Sequence, residues 1–127
     1  MNQRTVLTIG AASAGLAVAI GAFGAHALRP LLEANARVDT FELAVRYQFY
    51  HSFAILFAGI LMSTFPSKHI GRGAICFLVG ILIFSGSLYA LSLSGIRVLG
   101  AITPIGGVGF IAGWLLLLVG INAKRSP

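Results

Sequence analysis

Four long apolar runs dominate the sequence, and polar residues are largely confined to the short connections between them. The runs cover residues 5–28, 41–65, 71–93 and 98–121. At ~1.5 Å per residue the first run would be ~36 Å long, enough to cross the ~30 Å hydrocarbon core of a bilayer with some tilt. Because the chain is 57% hydrophobic and only 9% charged, a water-soluble domain of this size could not bury so much apolar surface. The pattern predicts an all-α, four-helix transmembrane bundle that forms one integral-membrane domain, residues 1–127.

The first run has an alternative interpretation as a secretory signal peptide, since Ala25-His26-Ala27 resembles a cleavage site. The apolar part of this run is longer than the roughly 7–15 residues of a typical signal core. The length therefore favours a membrane anchor that is retained.

Basic residues are scattered at the ends of the apolar runs, and they give the chain a formal net charge of +6. Membrane proteins use charge in this way, and no basic face that could bind nucleic acid is formed. The positive-inside rule predicts that both termini are cytoplasmic, because basic residues are more numerous on their side. That side carries Arg4, Lys68, Arg72, Lys124 and Arg125, and the other carries Arg29, Arg37, Arg97 and, if its side chain reaches the surface, Arg46.

The second run begins with a polar stretch, FELAVRYQFYHSF at 41–53, that carries ionisable residues into an apolar segment. Such groups are costly inside lipid and generally face protein or water. Counting ~1.5 Å per residue from the outer helix ends places the polar side chains of all four runs in the outer half of the bilayer. The predicted polar cluster consists of His26, Arg46, Tyr47, Gln48, His51, Ser85, Ser87 and Thr103. These side chains either hold the helices together through hydrogen bonds or form a functional site.

His51 lies deepest among the ionisable groups of this stretch, ~15 Å from the outer end of its helix at ~1.5 Å per residue. An imidazole at that depth cannot reach the headgroups, so it needs a polar partner inside the bundle. Successive residues turn by about 100°, which places Tyr47, Gln48 and His51 on one helical face. The expected partners at matching depth are Ser85, Ser87, Thr103 and the Gly100 carbonyl, which Pro104 would deprive of its helical donor.

The start of the second run carries two further local patterns. Asp39 is expected to cap this helix, with Glu42 in the reciprocal position of a capping box. Glu42 and Arg46 are four residues apart, a spacing that predicts an ion pair near the membrane surface. The connection before them, residues 29–39, is either a short interfacial helix or a solvated loop.

Small residues recur at four-residue spacing in two of the runs. One stripe is Ala17, Gly21 and Ala25, and the other is Gly109 and Gly113. Stripes of this kind let two membrane helices approach closely. A chain this small is expected not to need all of them internally, which predicts association with a second copy or with another membrane protein.

The sequence offers little support for enzyme chemistry, and it predicts no catalytic, cofactor-binding or metal-binding residues. No two carboxylates lie deep enough for acid–base catalysis, and His26, His51 and His69 lack metal-ligand spacing. Cys76 is the single cysteine, which excludes an internal disulfide. Two function classes remain. The first is a non-enzymatic accessory or scaffold protein in the lipid bilayer, and the alternative is a small oligomeric channel or transporter for protons, ions or small solutes. The apolar inner half of the predicted bundle argues against transport.

Four ordered motifs resemble one family across nearly the whole chain. They are GAFGAHAL at 21–28, AVRYQFYHSFAIL at 44–56, FSGSLYAL at 84–91 and LGAITPIGGVGFIAGW at 99–114. The chain is similar to the small integral-membrane family called domain of unknown function 423, or uncharacterised protein family 0382. Its members are bacterial inner-membrane proteins with a eukaryotic transmembrane branch. The resemblance implies an all-helical, multi-pass plasma-membrane protein, and it implies no established activity, ligand or catalytic residue.

Overall fold

Helices account for nearly all of residues 1–123, the range that the computed structural model describes. The predicted all-α class is confirmed, since this range contains no strand. Lys124 and Arg125, which enter the predicted topology, lie outside the described residues. In chain order the elements are α1 (Gln3–Ala25), α2 (Arg29–Ala34), α3 (Val38–Thr64), α4 (Lys68–Ser94), a 3-10 helix (Arg97–Ala101) and α5 (Thr103–Asn122).

Three helical segments within the described residues are long and apolar enough to cross a membrane. They are α1, α4 and the segment Arg97–Asn122, which joins the 3-10 helix to α5. At 27 residues α3 is as long as α4, but it is not among the three. The polar residues in its first half lower its hydropathy; of these, Gln48 and His51 are buried, whereas Glu42, Arg46 and Tyr50 are exposed.

Side chains and one glycine define several helix ends. The Asn2 side chain accepts a hydrogen bond from the Thr5 backbone N–H at 2.8 Å and caps α1. Ser67 caps α4 in the same way, accepting from the His69 N–H at 3.3 Å. Gly95 ends α4 with a φ of 73°, a left-handed conformation that costs glycine little because it has no Cβ.

The predicted capping box at the start of α3 is wrong. The helix begins two residues earlier than predicted, at Val38, and its cap residue is Arg37, which makes no side-chain capping bond. Asp39 therefore already lies in the first helical turn. Its carboxylate there still complements the positive end of the helix dipole.

Two further boundaries differ from the sequence prediction. The first run does not continue to residue 28, because α1 ends at Ala25 and a turn leads into α2, which has Pro30 in its first turn. The connection thus contains a short helix.

Pro104 does not interrupt the fourth helix, since it lies in the first turn of α5 after the 3-10 helix. A proline in the first turn of a helix needs no N–H. The prediction that Pro104 deprives the Gly100 carbonyl of a donor assumed one continuous helix, which this segment does not form.

α3 and α4 form the central pair of the fold. α1 packs against α3, and α5 packs against α4, whereas α1 and α4 barely touch. The core between them contains ten buried apolar residues: Val6, Ala54, Ile55, Ala58, Ile70, Ala74, Phe77, Ile81, Phe110 and Leu117. At one end of the bundle the Asn35 side chain donates to the Ser92 carbonyl at 3.0 Å and ties the α2–α3 turn to the end of α4.

Both small-residue stripes are used within the chain. Ala17 is fully buried and Gly21 approaches Val45 of α3, while Ala25 is exposed. Gly113 lies against the Phe77 ring and Gly109 against the backbone of α4. The stripes therefore set the distances between α1 and α3 and between α4 and α5.

The outward faces of the helices are apolar. Large exposed side chains on α4 and α5 include Leu82 (65% exposed), Val108 (66%) and Ile111 (62%). A surface of this composition is suited to lipid, because a water-soluble protein rarely exposes contiguous apolar patches of such extent.

Candidate functional site

Gln48 is the centre of a polar network that joins three helices. The side chain is only 3% exposed. Its Nε2 donates to the Ser13 carbonyl of α1 at 3.0 Å, and its Oε1 accepts from the Tyr89 hydroxyl of α4 at 2.7 Å. One residue of α3 thereby fixes the positions of the helices on either side of it.

Ser52 extends this network one turn along α3. Its hydroxyl lies 2.6 Å from the Gln48 carbonyl and 2.7 Å from the Ser13 hydroxyl. The sequence analysis did not include Ser13 and Ser52 in the cluster. The signal for Ser52 was present, since it follows Gln48 by four residues and so shares its helical face. Nothing in the sequence indicated Ser13, because only the folded structure shows which residues of α1 lie next to α3.

His51 is buried among aromatic rings on the side of α3 that faces α5. The Phe110 ring stacks on the imidazole with centroids 3.5 Å apart, and the rings of Phe77 and Trp114 lie 5.6 and 6.2 Å away. His51 Nδ1 lies 2.8 Å from the Tyr47 carbonyl, and Trp114 Nε1 donates to His51 Nε2 at 3.4 Å. Since Nε2 accepts, the hydrogen-bond pattern assigns the neutral tautomer with the proton on Nδ1.

The predicted partners of His51 bond elsewhere. Ser85 donates to the Ala44 carbonyl of α3 at 2.7 Å. The hydroxyls of Ser87 and Thr103 lie 2.6 Å apart and link α4 to the start of α5. The actual side-chain partner of His51 is Trp114, a residue that the sequence analysis did not place in the cluster.

Two members of the predicted cluster, His26 and Arg46, lie outside the polar network. His26 is exposed at the end of α1, and Arg46 is exposed on α3. The predicted Glu42–Arg46 ion pair is wrong: within the described residues Glu42 instead lies 4.0 Å from Arg29. Arg29 Nε also donates to Glu33 at 2.8 Å, and this bond raises the pKa of the guanidinium further above its usual value. These charged side chains thus lie on the exposed surface of α2 and of the first turns of α3.

Two cavities adjoin the polar residues. The larger, of about 420 Å³, is a groove between α1 and α4 whose polar lining residues are Ser13, Gln48, Ser85 and Tyr89. The smaller, of about 220 Å³, lies between α1 and the start of α3, with Glu42 and Arg46 at its edge. Within residues 1–123, no group of three His, Cys, Asp or Glu side chains could hold a metal ion.

Most of the polar network lies in the part of the chain that matches a protein family. The description "Protein of unknown function (DUF423)" matches residues 20–107, which include the network residues Gln48, Ser52 and Tyr89. The chain belongs to the DUF423 family. The resemblance drawn from the four sequence motifs is confirmed.

Several relatives are similar to this DUF423 member over nearly their whole length. The UPF0382 membrane protein SSP2132 of Staphylococcus saprophyticus is 46% identical over 118 residues, covering 93% of this chain and 97% of the relative. The UPF0382 inner membrane protein YgdD of Escherichia coli K12 is 40% identical over 127 residues, covering 99% and 96%. No solved structure matches the chain.

These findings place the chain in the inner membrane as a multi-pass protein. The relatives are named as membrane or inner membrane proteins, and the chain has three helices able to span. Neither the family description nor these names indicate an enzymatic family.

Proposed function

We propose that this protein is a non-enzymatic accessory or scaffold protein of the inner membrane, with four membrane-spanning helices and both termini in the cytoplasm. One observation carries the proposal: the buried polar side chains bond to one another and to the backbone. Gln48 joins Ser13 to Tyr89, and Ser87 joins Thr103. Polar groups used in this way hold helices together.

A fourth crossing by α3 is supported by its length and by where its polar residues lie. Its 27 residues span ~40 Å at ~1.5 Å per residue, more than the ~30 Å hydrocarbon core. Gln48, His51 and Ser52 are all buried against other helices. These polar groups therefore have partners inside the protein, and they do not prevent α3 from crossing the bilayer.

The orientation follows from the basic residues at the helix ends. Five basic residues belong to the side of the N-terminus or follow α5 in the sequence: Arg4, Lys68, Arg72, Lys124 and Arg125. The opposite side has three, Arg29, Arg37 and Arg97, or four with Arg46. The positive-inside rule counts basic residues in short connections, so it supports cytoplasmic termini.

An accessory role requires a partner, either a second copy or another membrane protein. The small-residue stripes are used internally, so they are not the surface for it. α5 packs against α4 on one side and leaves Val108, Ile111 and Leu115 exposed on the other. That apolar face is the surface we assign to the partner.

Flux measurements on the purified protein and crosslinking in native membranes test the proposal against transport. We expect vesicles containing the protein to pass no protons, ions or small solutes, because Phe77, Ile81 and Phe110 fill the interior. We also expect crosslinking in native membranes to capture a partner through Ile111→Cys, with Phe57→Cys on α3 as an exposed control. Specific flux would favour the channel alternative, and a monomer without any crosslinked partner would contradict the accessory role.

A further inference from the structure

Arg46 is an exposed arginine at the top of a face of α3 that is otherwise aromatic. Tyr50, Phe53 and Phe57 follow it along the helix and are 54%, 48% and 62% exposed. Since successive residues turn by about 100°, all four side chains lie on one face. In the proposed four-span arrangement, on which this inference depends, lipid covers that face.

The depth of Arg46 places its charge at the level of the lipid headgroups. α3 has 27 residues, so at ~1.5 Å per residue it exceeds the ~30 Å hydrocarbon core by ~10 Å. With this excess shared between both ends, the Arg46 backbone lies ~7 Å inside the core at ~1.5 Å per residue. Helical side chains tilt toward the N-terminus, and the long stem of arginine carries its charge back to the interface.

Arg46 is left without a carboxylate partner among residues 1–123. The ion pairs in this range join Arg29 to Glu33 at 2.8 Å and to Glu42 at 4.0 Å. Glu42 and Arg46 have the four-residue spacing at which helical side chains commonly pair, yet they do not pair with each other. The anion available to an arginine at a bilayer surface is the lipid phosphate, which a guanidinium can bind through two parallel hydrogen bonds.

Glu42 and Arg46 instead line the same recess. This is the cavity of about 220 Å³ between α1 and the start of α3, and its other described lining residues are apolar or glycine. The Arg29 contact at 4.0 Å leaves the Glu42 side chain 55% exposed, so its carboxylate can accept from a second cation. Because Arg29 is neutralised by Glu33, the recess as a whole carries one positive and one negative charge. A complementary ligand carries the same two charges on an apolar body.

We propose that this recess binds a zwitterionic phospholipid with a primary ammonium group, of the phosphatidylethanolamine type. Its phosphate pairs with Arg46, and an acyl chain lies along Tyr50 and Phe53. Glu42 is one turn nearer the helix end than Arg46, so the ammonium, which is attached beyond the phosphate, reaches the carboxylate. A primary ammonium offers three N–H donors, whereas a choline headgroup offers none and a glycerol headgroup has no positive charge. The inference goes beyond the accessory role because it names a lipid partner.

Native mass spectrometry of the full-length protein tests the lipid class. The purified protein is incubated in detergent with equimolar phosphatidylethanolamine, phosphatidylcholine and phosphatidylglycerol that have identical acyl chains. We expect one bound phosphatidylethanolamine to exceed each of the other two lipids about fivefold, the ratio that corresponds to ~1 kcal/mol for one basic side chain at a membrane surface. Equal binding of phosphatidylethanolamine and phosphatidylcholine, or a preference for phosphatidylglycerol, would overturn the proposal.

Charge-removing variants test the location. Arg46→Gln should lower phosphatidylethanolamine binding about fivefold. Arg37→Gln is the matched control, because it removes the same charge at the same end of α3 but Arg37 does not line the recess. Glu42→Gln leaves Arg46 as the charged lining group, so phosphatidylglycerol should then bind at least as well as phosphatidylethanolamine. An unchanged lipid preference in Arg46→Gln or in Glu42→Gln would overturn the site.

Failure of this site can be told apart from failure of the four-span arrangement. Labelling of Ser67→Cys by an impermeant reagent in intact cells reports whether α3 crosses, whichever lipid is bound. Phosphatidylethanolamine binding that is insensitive to both charge-removing substitutions in the recess, in a protein whose Ser67→Cys is protected, would contradict the lipid site alone.

Discussion

At the scale of single residues, His51 illustrates how an ionisable side chain can serve packing inside a membrane protein. Its ring stacks on Phe110, and both ring nitrogens have partners, the Tyr47 carbonyl and Trp114 Nε1. The side chain is only 5% exposed, so both its packing contacts and its hydrogen bonds are expected to contribute to stability.

We predict that His51→Phe is less destabilising than His51→Ala. Phenylalanine keeps the aromatic contact and loses the hydrogen bonds, which we expect to cost about 0.6–2 kcal/mol. Alanine also leaves a cavity, so its cost should be about 3 kcal/mol. Trp114 is the single tryptophan and adjoins His51, so its fluorescence can follow unfolding of both variants in detergent.

His26→Ala is the control for the His51 variants, because His26 is exposed at the end of α1. Its free energy of unfolding should match that of the unchanged protein within about 0.5 kcal/mol. Equal losses for His51→Phe and His51→Ala would show that the hydrogen bonds outweigh the packing.

At the scale of helices, close approach of α5 to α4 depends on particular glycines. A Cβ at Gly106 would overlap the Phe84 backbone, whereas a Cβ at the next residue, Gly107, would meet only the Phe84 ring at 3.9 Å. The two glycines are neighbours in one helix, so they share the same helix propensity and differ in what surrounds them.

We predict opposite effects of alanine at these two positions. Gly106→Ala should destabilise the fold by about 1–3 kcal/mol, because backbone cannot move aside as a flexible side chain can. Gly107→Ala should be neutral or stabilise by up to about 1 kcal/mol through helix propensity. Thermal unfolding of both variants in the same detergent measures the difference, and a loss of equal size at Gly107 would contradict the packing at this contact.

The helices and their apolar faces could be predicted from the sequence, because hydrophobic run length and helical period are local properties. Burial of Gln48 and His51 also followed from the cost of polar groups in lipid. The pairing of Gln48 with Ser13, and of His51 with Trp114, could not be predicted, since it depends on which helices are neighbours. The start of α3 was misjudged because the turn through Ala36, with a φ of 52°, brings the chain into the helix before Asp39.

At the scale of the whole molecule, the number of crossings decides which connections share a side of the membrane. With four crossings, the α2–α3 connection and the end of α4 lie together outside, and Asn2 and Ser67 lie inside. If α3 did not cross, Ser67 would share a side with the α2–α3 connection and Ser94 would share a side with Asn2.

Single cysteines in a Cys76→Ala background distinguish these arrangements. We predict that an impermeant maleimide labels Ala34→Cys and Ser94→Cys in intact cells, and that it labels Asn2→Cys and Ser67→Cys only after permeabilisation. Ala34 and Ser94 are exposed, so a failure to react would report location and not burial. Labelling of Ser67→Cys in intact cells would exclude the crossing by α3.

The polar face of α3 has a consequence for how the protein is made. In the four-span arrangement α3 emerges from the ribosome after α1 but before α4 and α5, which supply Tyr89 and Trp114. Only Ser13 on α1 is already present as a partner for Gln48. Entry of α3 into lipid by itself would expose the remaining polar groups at a cost that insertion of single helices does not readily meet. We therefore expect α3 to remain at the insertion machinery until α4 is synthesised, so that the two helices enter the bilayer together as a hairpin.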